Sequence, residues 1–235
     1  MKRIIKRIFN TVGFDISKSN KSPQYSLLGL RNLPIKTIID VGANIGQFAK
    51  IINRFFPEAN IFCFEPVPVV FQELNKLAEN KNKKIKAFNF ALGDSEKEIE
   101  IFHHKEHSSS SSILKTTKVC ESFYPFVKSQ QTITVHQTTL DKAVDTFNIP
   151  LIPEILIKLD VQGYEDRVIR GGQKTFDKAK ACILEINLDE LYEDQHSFTD
   201  LSCSLYKHGL KYAGNLSQTF AEDGHVIFID AVFIR

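Results

Sequence analysis

The feature that most constrains the fold is a regular alternation of short apolar runs and amphipathic stretches, which begins at about residue 36. The apolar runs are rich in β-branched side chains, as is typical of buried parallel strands. The stretches between them carry apolar residues at helical spacing, and proline ends one of them. The pattern predicts an α/β domain built on a doubly wound, mostly parallel sheet.

The predicted elements follow this alternation along the chain. Strands are predicted at residues 36–41, 60–66, 84–92, 154–161 and 180–187, followed by an antiparallel edge pair at 210–216 and 225–234. Helices are predicted at residues 46–56, 69–80, 164–171 and 198–208. Residues 97–104 and 131–137 instead alternate like antiparallel strands around a polar loop, which predicts a β-hairpin-like insertion at about residues 95–137.

The composition is that of an ordinary globular chain, with 43% hydrophobic and 25% charged residues over 235 positions. No low-complexity linker divides the chain, so we expect one domain over residues 36–235. The cysteines Cys63, Cys120, Cys182 and Cys203 form no CxxC pair, and three lie in apolar surroundings. We expect free, mostly buried thiols in a reducing, cytoplasmic setting rather than disulfides or zinc ligands. No apolar run reaches the roughly 18 residues that a membrane span needs.

The N-terminal extension, residues 1–35, differs from the rest of the chain in charge. Residues 1–36 carry eight Lys or Arg and one acid, a net charge of +7, so the remainder of a chain of net +2 carries −5. Apolar side chains recur at helical spacing between the basic residues of 1–14, which predicts a basic amphipathic helix. Such a helix either packs on its own domain or makes peripheral contact with an anionic membrane surface, and both interpretations stay open.

Acidic residues close or follow the five predicted parallel strands. In strand order they are Asp40, Glu65, Asp94, Asp160 and Glu185. Ligands of doubly wound sheets bind outside the carboxyl ends of the strands, at the crevice where the strand order reverses. One acid at such a position is unremarkable, whereas five indicate a binding site at this edge of the sheet.

The turn after the first strand reads DVGANIG and opens a helix. Gly42 permits the bend, Asn44 is a non-glycine residue that tolerates a left-handed conformation, and Gly46 lets the helix begin close to a ligand. Free N–H groups at such a helix start attract an anion. A dinucleotide-binding loop would carry glycine at positions 44 and 47, so NAD and FAD are disfavoured.

Two of the acids suit the parts of a nucleoside. Glu65 ends the next strand, about 20 residues after the glycines, where a carboxylate binds ribose hydroxyls. Asp94, one strand further along, is placed to reach an adenine amino group. Ribose, adenine and a small carboxylate without a pyrophosphate describe S-adenosylmethionine, which is the cofactor that these residues predict.

Seven segments in order through residues 36–190 resemble a known family. They read DVGANIGQFA, FEPVPVVFQELNKL, FALGD, SSSSSIL, TTLDKAV, IKLDVQGYEDRVIRGG and ILEIN. In order and spacing they are similar to the FkbM-type methyltransferases. The resemblance implies a Rossmann-like methyltransferase sheet and S-adenosylmethionine-dependent methylation of a hydroxyl on a sugar, polysaccharide or natural-product-like acceptor. It assigns the cofactor site to Asp40, Gly42, Asn44, Gly46, Glu65 and Asp94, the first four at the methionine end.

Methyl transfer to a hydroxyl needs an aligned acceptor, and a base or a divalent cation near the hydroxyl assists it. Asp160 and Glu185 end adjacent predicted strands and are the predicted catalytic residues. With Asn187 they form an oxygen trio that would suit Mg²⁺, although we assign no metal site. Many FkbM relatives read D-V-E-G where this chain has Gln162 in the third position, so residue 162 cannot act as a base or a charged ligand.

Two other functions stay open: an NAD(P)-dependent oxidoreductase, against which the glycine pattern counts, and a catalytically silent nucleotide-binding domain. His103, His104 and His107 have a spacing that could ligate a metal, but their Ser-rich surroundings predict a solvated loop. The serine run at 108–112 could order over a substrate as a lid. The chain has no tryptophan and no basic–aromatic interleaving, so we expect a small-molecule or saccharide partner and no nucleic acid.

Overall fold

The structure is a computed structural model that describes residues 22–80, 84–104 and 110–235. The strands are β1 (Thr37–Val41), β2 (Asn60–Phe64), β3 (Ile85–Phe88), β4 (Ala91–Gly93), β5 (Lys97–His103), β6 (Gln131–Thr139), β7 (Ile155–Leu159), β8 (Ala179–Asn187), β9 (Lys211–Phe220) and β10 (Val226–Ile234). The helices are α1 (Pro23–Ser26), α2 (Gln47–Phe55), α3 (Pro68–Asn80), α4 (Lys118–Phe123), α5 (Leu140–Thr146), α6 (Glu165–Gly171), α7 (Gln173–Phe176) and α8 (Phe198–Lys207). Short 3₁₀ segments lie at Leu27–Asn32 and Pro125–Lys128.

Seven strands form the main sheet, in the order β3-β2-β1-β7-β8-β10-β9. β1 pairs in parallel with β2 on one side and with β7 on the other, so the chain order reverses between β1 and β7. β10 runs antiparallel to both of its neighbours, β8 and β9. The predicted doubly wound, mostly parallel sheet with an antiparallel edge pair is confirmed. Its ligand crevice is expected at the carboxyl ends of β1 and β7.

The strand predicted over residues 84–92 is two strands in different sheets, so that prediction is wrong. Between the two strands, Asn89 donates from Nδ2 to the carbonyl oxygens of Glu65 (2.8 Å) and Pro66 (2.9 Å). β3 pairs with β2 in the main sheet, whereas β4 pairs with β6. β6 also pairs antiparallel with β5, and these three strands form the insertion sheet. Asp94 therefore follows a strand of the insertion sheet and not of the main sheet.

Helices cover both faces of the main sheet. Side chains alternate along β1, so Ile39 and Val41 enter one apolar cluster while Ile38 enters the other. Residues of α5, α6 and α8 complete the first cluster, and residues of α2 and α3 complete the second. Burial on both faces explains why these strands are near-continuous apolar runs in the sequence.

The residues just before β1 pack on the main sheet, where Leu27 and Leu30 are buried in the cluster of α2 and α3. The basic helix predicted over residues 1–14 lies outside the described residues, so its packing and its membrane contact stay predictions. Of the helices that the structure describes, none combines the length and the apolarity that crossing a bilayer requires.

The four cysteines are free thiols, and Cys63, Cys120 and Cys182 are buried while Cys203 is exposed. The sequence-based prediction of free, mostly buried thiols is confirmed.

The solvated loop predicted for the histidines is wrong for His103 and His104, which are 5% and 2% exposed. β5 extends to His103, and the serine-rich chain returns across it, since Phe102 and Ser112 exchange backbone hydrogen bonds of 2.8 and 3.2 Å. His107 lies outside the described residues.

Candidate active site

A pocket opens at the carboxyl ends of β1, β2 and β7, where the strand order reverses. It encloses about 620 Å³ of empty space, part of which is open to solvent. Its polar lining includes Asn44, Glu65, Asp160 and Gln162. Its apolar lining includes Phe90, Ala91, Leu92, Ile101 and Ile113. We refer to it as the crevice pocket.

The loop after β1 is in tight contact with the end of β7. Gly42 has a φ of +75°, and a Cβ at this position would lie 1.9 Å from the carbonyl oxygen of Asp160. Glycine is therefore required for the loop to approach Asp160 this closely. Asn44 has a φ of +47°, the left-handed conformation that its residue type favours.

The N–H groups of this loop are used within the protein. Those at positions 42 and 43 both donate to the carbonyl oxygen of Phe64, at 3.0 Å. The Asn44 N–H donates to the Glu65 carboxylate at 2.9 Å, and the Ile45 N–H donates to Asn44 Oδ1 at 2.7 Å. The Gly46 N–H donates to the carbonyl oxygen at position 43. The N–H groups of positions 42 to 46 are therefore not free to bind an anion, and anion binding by the N–H groups that open α2 at Gln47 stays a prediction.

Gly46 serves packing and is not among the residues that line the crevice pocket. It has a φ of +81°, and a Cβ there would lie 2.4 Å from Leu77 in α3. The missing side chain thus lets α2 begin close to α3, which differs from the predicted approach to a ligand.

Glu65 lines the crevice pocket from the position directly after β2. Its Oε2 accepts the Asn44 N–H and its Oε1 accepts the Val67 N–H, both at 2.9 Å. Burial outweighs these hydrogen bonds and raises the pKa of the Glu65 carboxyl to about 7. A carboxylate has about four acceptor sites, so two stay available in directions that the loop fixes. Such a group suits the paired hydroxyls of a ribose.

Asp94 lies outside the lining of the crevice pocket. Its carboxylate contacts Arg170 Nη2 at 3.3 Å and accepts from Ser95 Oγ at 3.1 Å. The split of the predicted third strand explains this position, because Asp94 follows β4 of the insertion sheet. The adenine contact predicted for Asp94 is therefore not carried into our proposal.

Asp40 is fully buried within β1 and is not among the residues that line the pocket. Its Oδ1 lies 3.7 Å from Nζ of Lys158, and that ammonium donates to Asp160 Oδ2 at 2.9 Å. Burial raises the pKa of Asp40 to about 6 against the opposing charge of Lys158. Burial also disfavours the ammonium, but the carboxylates of Asp160 and Asp40 outweigh it and raise the pKa of Lys158. The lysine thus links Asp40 to the pocket through Asp160.

The side-chain amide of Gln162 bridges the two acids predicted to be catalytic. Its Nε2 donates to Asp160 Oδ1 at 2.8 Å and to Glu185 Oε1 at 2.6 Å. Its Oε1 accepts from the hydroxyl of Tyr192. Both amide protons are used, and a reversed amide would place its oxygen against two carboxyl groups. The structure therefore brings Asp160 and Glu185 together around one amide.

Glu185 lies in an environment that favours its neutral form. Burial, followed by the negative charges of Asp160, Asp230 and Glu165, raises the pKa of Glu185 well above its ordinary value, while Lys158 opposes them. Acidic groups thus outnumber the ammonium around Glu185.

The turn that carries Asp160 and Gln162 is held by Glu165. Its Oε1 accepts the N–H groups of Val161 (3.0 Å) and Gly163 (3.3 Å). Gln162 itself has a φ of +57°, which these hydrogen bonds help to maintain. Burial raises the pKa of Glu165 to about 7.

A second pocket shares Asp160 and Gln162 with the first. Its aromatic walls are Tyr124, Phe126, Tyr192 and Phe228. Glu185 and Asn187 add polar groups, and the buried Oδ1 of Asn187 accepts no hydrogen bond from the described protein. We refer to this cavity as the aromatic pocket. The two pockets meet where Gln162 holds the two acids.

The Mg²⁺ site considered for Asp160, Glu185 and Asn187 is not supported. Across residues 22–80, 84–104 and 110–235, no three His, Cys, Asp or Glu side chains are grouped so that they could hold a metal ion. The Gln162 amide donates N–H groups to both acids, where a bound cation would require oxygen ligands.

Residues 40–212 match the sequence model of the family described as Methyltransferase FkbM domain. The chain belongs to the FkbM methyltransferase family. The methyltransferase activity and the family predicted from the sequence are confirmed. The matched segment runs from the end of β1 into β9 and contains Glu65, Asp160 and Glu185.

The FkbM methyltransferase is similar to several curated proteins. It is 32% identical over 178 residues to the 2-O-methyltransferase NoeI of Sinorhizobium fredii, covering 72% of this chain and 70% of NoeI. It is 27% identical over 144 residues to Methyltransferase 1 of Beauveria bassiana, covering 57% of each chain. It is 24% identical over 148 residues to the hexuronic acid methyltransferase AglP of Haloferax volcanii, covering 63% of this chain and 54% of AglP. It thus spans little more than half the length of the latter two.

A solved structure also resembles the enzyme. The methyltransferase FkbM from Methylobacillus flagellatus has a TM-score of 0.54 and 13% sequence identity, and the match covers 86% of this chain and 44% of that one. At this identity the likeness concerns the fold.

Sequence reasoning missed Lys158, the role of Glu165 and the aromatic walls. Lys158 interrupts the apolar run of β7, and a charged residue within a buried strand is a signal that could have found it. Glu165 follows the Asp160 turn closely but looks like an ordinary acid in a first helical turn. The aromatic walls come from distant segments, which no local pattern brings together.

Proposed function

We propose that this FkbM methyltransferase uses S-adenosylmethionine to methylate a hydroxyl of a saccharide or a similarly hydroxylated natural product. The observation that carries the proposal is the meeting of the crevice pocket and the aromatic pocket at Asp160 and Gln162. A cofactor in the first pocket and an acceptor in the second would have their reacting groups beside the same carboxylate. The name of NoeI, a 2-O-methyltransferase, supports transfer to an oxygen, and the name of AglP, a hexuronic acid methyltransferase, supports a saccharide acceptor.

The crevice pocket fits the nucleoside of this cofactor. Glu65 offers two oriented acceptors to ribose hydroxyls, and Phe90, Leu92 and Ile113 offer an apolar wall to the adenine. Gly42 keeps the loop close to Asp160, at the end of the pocket where the acids lie. When bound, the cofactor supplies an electrophilic methyl group on a positively charged sulfur.

The residues where the two pockets meet would then orient the acceptor and receive its proton. Asp160 would take the proton of the acceptor hydroxyl as the methyl group passes from the cofactor sulfur to that oxygen, with S-adenosylhomocysteine as the leaving group. Lys158 and Gln162 hold the Asp160 carboxylate through hydrogen bonds of 2.9 and 2.8 Å. Glu185, in its favoured neutral form, would donate a hydrogen bond to another oxygen of the bound acceptor molecule. Orientation of the hydroxyl by these groups accounts for much of the expected rate.

Two alternatives are weaker. An NAD(P)-dependent oxidoreductase would need loop N–H groups for a pyrophosphate, and those at positions 42 to 46 are already used. A catalytically silent nucleotide-binding domain gives no reason for two pockets to share an acid and an amide. Turnover to S-adenosylhomocysteine separates the proposal from a silent domain.

Binding of the nucleoside should depend on pH through Glu65. Ribose hydroxyls donate to the ionised carboxylate, and the carboxyl of the free protein has a pKa of about 7. The Glu65 carboxyl is therefore mostly protonated at pH 6 and must lose its proton before the nucleoside binds, whereas it is mostly ionised at pH 8. We expect 5′-methylthioadenosine, which has no group that titrates in this range, to bind about 5- to 10-fold more tightly at pH 8 than at pH 6. Isothermal titration calorimetry measures both affinities.

The matched variant is Glu65→Gln, which should bind about 10- to 150-fold more weakly at pH 8 and lose this pH dependence. Because both Glu65 oxygens accept backbone N–H groups, circular dichroism must show that the variant is folded. NADH serves as the comparison ligand and should bind more weakly than 5′-methylthioadenosine. An unchanged affinity in the variant would remove Glu65 from the site, and preferential NADH binding would favour the oxidoreductase.

A further inference from the structure

We infer that the aromatic pocket accepts neutral sugars and amino sugars and excludes uronic acids. The inference rests on the proposed function, because it specifies which saccharides that function would modify. Three features of the described residues support it: an excess of acidic groups, the engagement of the nearby lysine, and the chemistry of the walls.

The acidic groups of the aromatic pocket lie where an acceptor ring would bind. Asp160 and Glu185 both line the cavity, and Gln162 holds them on a single amide. Within the described part of the lining, no Lys, Arg or His is present. The carboxylate of a uronic acid would thus enter a partly enclosed site whose described lining carries the Asp160 carboxylate and no cation. Like charges in such a setting repel more strongly than they do in water.

The nearby ammonium is already engaged. Lys158 Nζ donates to Asp160 Oδ2 at 2.9 Å and lies 3.7 Å from Asp40 Oδ1. Its side chain is 11% exposed, and it lines neither pocket. Burial, followed by the negative charges of Asp160, Asp230 and Glu165, raises the pKa of Glu185 despite this lysine. A ligand carboxylate in the pocket would meet the Asp160 carboxylate, while the lysine that pairs with it does not reach the lining.

The walls suit a sugar ring. The rings of Tyr124 and Phe126 lie 5.9 Å apart and are partly buried, so they offer apolar faces to the C–H groups of a pyranose. Asn187 retains acceptor capacity for a sugar hydroxyl. An amino sugar would add a cation near Asp160 and near aromatic faces, which attract a cation as well. Acceptors with hydroxyl or ammonium groups therefore match the lining, and acceptors with a carboxylate do not.

Matched ligands test this selection without methyl transfer. The probes are the phenyl β-glycosides of glucose, glucosamine and glucuronic acid, together with the corresponding galactose series. Their dissociation constants are measured by ligand-observed NMR on the full chain saturated with S-adenosylhomocysteine. We expect each uronide to bind at least about 30-fold more weakly than its neutral counterpart, and the amino sugars to bind as tightly as the neutral ones or more tightly.

Two variants assign the effect to the pocket. Asp160→Asn should reduce the difference between uronide and neutral glycoside about 10-fold, because it removes one negative charge from the lining. Glu193→Gln removes a charge from an exposed side chain beside the pocket residue Tyr192 and should leave the difference unchanged. Equal or tighter binding of the uronides by the wild-type protein would overturn the inference, as would the failure of every probe to bind. Because these are binding measurements, a failure of methyl transfer would count against the proposed function alone.

Discussion

The Asp160→Asn variant should transfer methyl groups about 10²–10⁴-fold more slowly than the wild-type enzyme, the usual scale for loss of a general base. Asparagine has nearly the same shape but cannot take the acceptor proton. Asp160 lines both pockets, so the loss should fall on the transfer step. We expect S-adenosylmethionine affinity to stay within a few-fold, since ribose binding is assigned to Glu65.

Single-turnover methyl transfer to an acceptor found by panel screening measures this loss. The wild-type rate should not change on addition of EDTA. The Gln162 amide donates to both Asp160 and Glu185, so these carboxyl groups do not form a set of oxygen ligands for a cation. The surface variant Glu193→Gln provides the matched control and should keep the wild-type rate. Full activity in Asp160→Asn would leave an enzyme that works by positioning alone. Inhibition by EDTA that Mg²⁺ reverses would make Asp160 a metal ligand instead.

The Lys158→Met variant should lower the free energy of unfolding by about 3–5 kcal/mol, the usual effect of removing one partner from a buried ion pair. Methionine can occupy the space beside Phe48, whose ring centre lies 5.5 Å from the lysine Nζ. The fully buried Asp40 would then lose the only cation within salt-bridge distance among the described residues. Urea unfolding at pH 8 measures the change.

The sign of the pH dependence identifies Asp40 as the cause. Its pKa is already about 6 in the presence of Lys158, against 3.8 for the ordinary side chain, and removal of the lysine raises it further. The charged carboxylate therefore costs stability above this pKa, and protonation relieves that cost as the pH falls. The variant should be less destabilised at pH 5.5 than at pH 8. Adding Asp40→Asn should restore about 2 kcal/mol at pH 8. A Lys158→Met protein as stable as the wild type at both values would contradict this account.

The architecture of the main sheet could be predicted because its signal is local and repeated. The strands of the main sheet that are buried on both faces, such as β1, β2 and β7, are short and largely apolar runs, and helical periodicity marks the segments between them. The strand predicted over residues 84–92 failed because the apolar pattern continues through a change of sheet. At that change, the side-chain amide of Asn89 donates to the carbonyl oxygens of Glu65 and Pro66, which directly follow β2. A side-chain hydrogen bond of this kind produces no periodic pattern of residues in the sequence.

The site could be predicted only where a residue type and its strand position together specify it. Glu65, Asp160 and Glu185 are found this way, since each lies at or near the carboxyl end of a main-sheet strand. The same rule selected Asp40 and Asp94, but their carboxylates form ion pairs with Lys158 and Arg170 instead of lining a pocket. The direction of a side chain depends on the pleat and on its partners, which the sequence does not encode locally. The bridging role of Gln162 likewise depends on two acids from different strands.

Transfer of a labelled methyl group from S-adenosylmethionine to a saccharide oxygen can be measured directly. The enzyme is incubated with ¹³C-methyl-labelled cofactor and a panel of neutral and amino sugar acceptors, and the products are analysed by NMR and mass spectrometry. We expect a labelled O-methyl ether that forms in step with S-adenosylhomocysteine and nearly disappears in Asp160→Asn. A cofactor that binds without any methylated product, or a label found on nitrogen or carbon instead of oxygen, would contradict this expectation.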